Sequence, residues 1–313
     1  MDFIYNLVKD FPELLEDAYK TEIPFLKKGF KRIAIFGRGG SYISGMLLKT
    51  FLGKELKIPL EVSPNFEGFV DSKTLIILIS HSGNTKEVLH IFEKYKKYRH
   101  NFLILTSGGK LLEIAEKNNL KLVRLPPYLH ERFTFCYCFF PLIKTAEKLG
   151  IIKSQKQVVN NMVKFLLKEQ ESLEREAVKV CEKINNKTPL FYSTEYFYPA
   201  AYRMQTSIEE DAKIICHSNK LTELFHNEFE ALPSKNFFAF LITDGKELRG
   251  FEDQMKFFKK HLINFYEFGY HEYSREVRIM FLFQFTDFLG YYLSKLKGKK
   301  MGETPLSDRI KRL

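Results

Sequence analysis

The chain has 313 residues, 45% of them apolar and 28% charged, which is more than one hydrophobic core usually serves. Two domains of similar size are expected, and a low-complexity or disordered architecture is excluded. A formal charge of +11, from 49 Lys and Arg against 38 Asp and Glu, leaves nucleic acid, a membrane surface or a small anion as partner classes.

In chain order, the opening MDFIYNLVKDF lacks a basic segment followed by an apolar one, so no secretory leader is expected. RIAIF, TLIILIS, NFLILTS and KLVRLP then read as buried strands, separated by helical patterns such as KEVLHIFEKYKKY and LLEIAEKNN. That alternation predicts a doubly wound parallel sheet with helices on both faces. The apolar run FTFCYCFFPLI is too short to span a bilayer, so no membrane partner is expected. It holds Cys136 and Cys138; with Cys181 and Cys216 they are the four cysteines. A zinc site needs more ligands than this spacing offers, so buried free thiols, no metal and a reducing, cytoplasmic location are expected.

From about Gln155 to Asn186 the apolar residues recur at helical spacing, and Lys187-Thr188-Pro189 ends the pattern. The second half repeats the strand and helix alternation, with PLFYST, FFAFLIT and INFYEFG as strands. YPAAYRMQTSIEEDAK, LRGFEDQMKFFKKHL and REVRIMFLFQFTDFLGYYLSKL read as its helices. The expected organisation is one α/β domain over residues 1–153, a connecting helix over 154–187 and a second, degenerate α/β domain over 188–313. The basic runs at 94–99 and 295–300 adjoin apolar helical patterns, where such charges face solvent, so a small anion is favoured over nucleic acid.

Only the first half has glycine-rich turns between strand and helix. Gly37-Arg38-Gly39-Gly40-Ser41 puts flexible backbone, amides and a hydroxyl at a positive helix end, which suits an anion or simply a packing turn. It matches neither the P-loop nor the full dinucleotide fingerprint. Ser80-His81-Ser82-Gly83-Asn84-Thr85 is the stronger signal. Three hydroxyls between a strand and a helix can donate several hydrogen bonds to one phosphate, whereas capping needs only one. Hydroxyls and amides can hold a dianion without a metal.

With GRGGS, SHSGNT and TSGGKL in place, the chain resembles the sugar isomerase (SIS) fold, which binds phosphorylated sugars. Downstream, HERFTFCYCFFPL, TSIEEDAK, LFHNEFEAL and TPLSDRIKRL resemble the bifunctional phosphoglucose/phosphomannose isomerase family, with the His-Asn-Glu segment the most specific. The resemblance implies two SIS-type domains and an aldose-ketose isomerase that interconverts glucose 6-phosphate, and mannose 6-phosphate as well, with fructose 6-phosphate. It implies phosphate contacts at Ser41, Ser80, Ser82 and Thr85, with Gly39 and Gly40 in the first loop. Arg132 would stand beside the reacting carbons, and Glu210 would be the base. His226 would assist ring opening from the neighbouring subunit of a homodimer. Thr304 and Lys311 match positions that line the site, and no cofactor is implied.

The chemistry supports these residue types. One carboxylate held over C1 and C2 can take the proton from one carbon and return it to the other. A fixed guanidinium stabilises the enediolate, and a histidine titrates where ring opening needs it. Each assignment has a plainer competitor: Glu209, Glu210 and Asp211 as solvated helix charges, His226 as a structural histidine, Arg132 as a surface ion-pair partner and Lys311 as a terminal charge. Arg38 and His81 depart from the family pattern and bring charge to the phosphate loops, and Glu209 and Asp211 flank the base with acids. Two alternative functions remain: a non-catalytic sugar-phosphate sensor, and an SIS isomerase for a pentose 5-phosphate or an amino sugar.

Overall fold

The computed structural model describes residues 2–63, 68–232, 234–244 and 248–312. By internal contacts the chain divides into Asp10–Val163 and Lys164–Arg312, the latter together with residues 2–9. The division falls within one helix, α7 (Lys156–Ile184), and the opening helix α1 (Phe3–Lys9) belongs to the second unit.

In the first unit, α2 (Phe11–Tyr19) precedes β1 (Arg32–Phe36), α3 (Gly40–Leu52), β2 (Leu60–Val62), β3 (Thr74–Ile79) and α4 (Lys86–Tyr95). β4 (Phe102–Thr106), α5 (Gly109–Lys117), β5 (Lys121–Arg124) and α6 (Phe135–Lys148) follow. The sheet is parallel throughout, in the order β2-β1-β3-β4-β5. β3 and β4 are buried at every residue, as continuous apolar runs require when helices cover both faces. Ala34, Phe36, Ile76, Leu78, Phe102 and Ile104 point to one face and pack on Val88, Ile91 and Phe92 of α4 and Leu111 of α5. On the other face α3 comes so close that a side-chain carbon at Gly45 would stand 2.6 Å from Val62, so only glycine fits there.

In the second unit, β6 (Thr188–Ser193) leads into α8 (Tyr198–Ala212), β7 (His217–Lys220) and α9 (Leu221–Leu224). β8 (Phe237–Ile242), α10 (Glu252–His261), β9 (Phe265–Glu267), α11 (Arg275–Leu296) and α12 (Pro305–Arg312) complete it. Its parallel sheet runs β7-β6-β8-β9. Leu190, Tyr192, Ala239 and Leu241 form one core face with Leu221, Leu224, Met255 and Phe258. Helix α11 is buried nearly all round and holds a buried Arg203–Asp287 pair against α8 at 3.0 Å. Among the described residues no helix is long and apolar enough to cross a membrane. The four cysteines are buried and unbridged.

Candidate functional site

The first unit presents two strand-to-helix turns that are locked together. Gly83 and Gly109 both have positive φ, and a side-chain carbon on Gly83 would overlap the carbonyl oxygen of Gly108, while one on Gly109 would overlap that of Ser82. Hydrogen bonds reinforce the fit: Leu111 N donates to Gly83 O at 2.9 Å, and Lys110 N to Asn84 Oδ1 at 3.1 Å. This close approach is what the glycines of SHSGNT and TSGGKL are for.

Within that frame Ser80 is buried and its Oγ lies 2.8 Å from Thr85 Oγ1, while Gly83 N donates to Ser80 Oγ at 3.1 Å. Thr85 occupies the N-cap of α4, yet its hydroxyl makes no cap hydrogen bond. The plain capping role is therefore not the one it performs. Ser82 is exposed, and its Oγ accepts from Asn84 N at 3.4 Å. Gly39, with φ of 54°, turns the chain into α3 at Gly40 with no side-chain cap. Ser41 is buried in the first turn of α3, its Oγ 4.0 Å from Cys138 Sγ. Burial pushes the Cys138 thiol up to about 12, so it stays protonated and unreactive beside Ser41.

The two departures from the family pattern are engaged locally. Arg38 Nε lies 3.1 Å from Glu87 Oε1, an exposed pair at the start of α4. His81 is mostly buried, with Nε2 3.1 Å from the carbonyl of Pro126 and Nδ1 4.0 Å from Glu131 Oε1. Arg132 is half-buried on a single 3-10 turn, Glu131–Phe133, whose backbone is held by Arg132 N donating to His130 Nδ1 at 3.2 Å.

In the second unit Glu210 is exposed in the last turn of α8. The 100° step per helical residue separates it from its acidic neighbours. Asp211 is fully buried; its Oδ1 accepts from Gly302 N at 3.4 Å, and Gly290 of α11 leaves it room, since a side-chain carbon there would stand 2.7 Å from Asp211 Oδ2. Glu209 Oε1 accepts from Gln205 Nε2 at 3.2 Å and from Cys216 N at 3.5 Å. Sequence reasoning passed over Lys213, which ends α8 in a left-handed conformation. Its ammonium donates to the carbonyls of both Glu210 and Glu303, which sets Thr304 on a segment tied to the helix end that carries Glu210. A lone lysine after an acidic triplet carries no signal of that role.

His226 is exposed, just beyond α9, and its N donates to Glu223 O at 3.0 Å. Glu228, two residues on, accepts from Tyr192 OH at 2.9 Å and from Asn219 Nδ2, and lies 3.1 Å from His217 Nε2. Lys311 lies in α12, and its side chain is outside the described residues. Among the described residues no group of three or more His, Cys, Asp or Glu could hold a metal ion.

Residues 28–123 match the SIS domain family, and residues 173–313 match the bacterial phospho-glucose isomerase C-terminal SIS domain. A bifunctional phosphoglucose/phosphomannose isomerase of Caldicellulosiruptor bescii is 32% identical over 238 residues, covering 72% of this chain and 69% of that protein. The chain belongs to the bifunctional phosphoglucose/phosphomannose isomerase family. A second such family member, from Thermoplasma volcanium, is 28% identical over 95% of this chain and 96% of its own. A D-glucosamine-6-phosphate 4-epimerase of Sulfolobus acidocaldarius is 32% identical over 74% of this chain and 73% of its own. The same fold occurs in the C-terminal domain of a glucosamine-fructose-6-phosphate aminotransferase from Francisella tularensis, with a TM-score of 0.75 at 17% identity over 97% of this chain and 98% of that one.

Proposed function

We propose that the protein isomerises glucose 6-phosphate and mannose 6-phosphate to fructose 6-phosphate through an enediol. The observation that carries this reading is the Ser80–Thr85 turn in a member of this family, where two hydroxyls face each other across 2.8 Å while Thr85 leaves its own helix uncapped. Such hydroxyls, the exposed Ser82, Ser41 and the α3 and α4 amides suit a phosphate dianion. The first unit supplies that grip, through Ser41, Ser80, Ser82 and Thr85 with the Gly39-Gly40 turn.

In this reading Glu210 takes the C2 proton of the open-chain aldose and returns it to C1. Asp211 is consumed in packing and Glu209 in bonds to Gln205 and Cys216, so the acid flanks of the base have other work. Arg132 meets the charge that develops on the enediolate oxygens, and His226 of the neighbouring subunit in a homodimer moves the proton that opens the ring. Thr304 and Lys311 orient the sugar near C2. Four buried, unbridged cysteines suit a reducing cytoplasm.

The test is fructose 6-phosphate formation from each aldose in the presence of chelator, for the wild type and Glu210→Gln. The variant is expected to lose at least about a hundredfold in kcat with little change in KM. No wild-type turnover with sugar phosphate still bound would replace the enzyme by a sensor.

A second reading has an observation of its own, the equal identity of the Sulfolobus acidocaldarius 4-epimerase. The phosphate grip would serve that reaction equally, but a base placed over C1 and C2 would not. Incubation with glucosamine 6-phosphate, followed by NMR at C4, separates the two.

A further inference from the structure

His226 stands on a short arch, residues 225–229, and both feet of that arch are fixed. Phe225 and Phe229 each pack edge-on against Phe258 of α10, which is fully buried, at ring separations of 5.7 and 5.4 Å. Between those rings the chain makes a polar attachment. Glu228 sends its carboxylate to the sheet, where Tyr192 of β6 and His217 and Asn219 of β7 meet it. Tyr192 is 1% exposed, so its hydroxyl has been drawn fully out of water and needs this acceptor.

A carboxylate so placed is an expensive way to gain stability, because desolvation offsets much of what its donors return. Burial does work against its ionisation, but hydrogen bonds from Asn219, His217 and Tyr192 outweigh that and hold the carboxyl below its ordinary value. What the arrangement supplies is direction: one side chain ties the arch to two strands at once. We infer that Glu228 is a positioning residue, which fixes the arch on the sheet so that the imidazole of His226 is presented in one orientation to the reaction. This inference rests on the isomerase reading above. It requires that Glu228 act through His226.

A double-mutant cycle on glucose 6-phosphate isomerisation tests it, with His226→Ala, Glu228→Leu and their combination, and Glu228→Gln and Tyr192→Phe as milder variants. Glu228→Leu is expected to lose about as much kcat as His226→Ala, roughly tenfold or more, with KM nearly unchanged, and the double variant to be no worse than the poorer single one. Glu228→Gln, which keeps a carbonyl acceptor, should recover most of the activity, and Tyr192→Phe should lose a smaller part. Losses that multiply in the double variant, or an unimpaired Glu228→Leu, overturn the inference. Hydrogen exchange of residues 225–232 gives a readout independent of turnover. Faster exchange there in Tyr192→Phe and Glu228→Leu, with α8 unchanged, is expected, and unaltered protection overturns the inference even if Glu228→Leu is too unstable to assay. A wild type without isomerase activity but with an arch loosened by these variants would break the functional reading and leave the anchoring in place.

Discussion

The two sheets share a plan and differ at their carboxyl ends. In both, the first strand lies between the second and the third, with helices packed around a parallel sheet. In the first unit the turns beyond β1 and β3 are glycines and hydroxyls, with Gly83 and Gly109 meshed. In the second, β6 ends in Ser193 and Thr194, whose hydroxyls are closed in without a hydrogen-bond partner among the described residues, and a 3-10 turn of bulky Glu195–Phe197 follows. One carboxyl edge presents hydroxyls and backbone amides at glycine turns, while the other opens on a mostly apolar cavity of about 300 Å³ lined by Ser193, Thr194, Leu221, Phe225 and Phe251. The candidate catalytic groups of the second unit accordingly come from elsewhere, Glu210 from a helix C-terminus and His226 from an arch after a short helix. A duplicated fold keeps its sheet because the core demands it. Its turns are free to diverge.

The largest effect that could break this contrast is at the glycines. Gly83→Ala should abolish sugar-phosphate binding at accessible concentrations and lower the melting temperature, because the new carbon overlaps Gly108 at a positive φ. Gly250→Ala, in the turn after β8, has φ of 89° but open space around it, so it should cost only the backbone strain, about 1–2 kcal/mol, and leave binding intact. Calorimetry on both variants measures the comparison, and equal losses of binding would end it.

A smaller effect comes from acid. The Glu228 carboxyl titrates below its ordinary value in the folded protein, so its contribution to stability is present above the usual carboxylate range and is lost as pH falls through its lowered value. Melting temperatures between about pH 3 and 7 should show the gap between wild type and Glu228→Gln narrowing toward the acid end. The smallest effect is expected at Arg38→Ala. That exposed pair with Glu87 should change stability by no more than about 0.5 kcal/mol, and phosphate affinity hardly at all, as measured by denaturant titration and by KM.

Four strands of the first unit were legible because they are continuous apolar runs, a pattern that little else produces, whereas β2 is only the three residues Leu60–Val62 and went unread. β7 was not legible either, since His217–Lys220 is polar and becomes a strand only through its backbone pairing with β6. INFYEFG contracts to the three residues of β9, and the connecting helix ends at Ile184. At the candidate site, the hydroxyl turn could be read from six residues. The fate of the acidic triplet could not, because the room for Asp211 is made by Gly290, far along the chain, and a run of three acids reads as a solvated face. The partners of Glu228 and the carbonyl bridge of Lys213 are likewise contacts between distant segments, which leave no local pattern.

The meshing of Gly83 with Gly109 also bears on descent. Each residue's missing side chain is the space the other's loop occupies, so a lineage cannot enlarge one without remodelling the other. Among relatives of this chain the two positions should depart from glycine together or keep it together, and insertions should spare both loops while accumulating elsewhere on the surface.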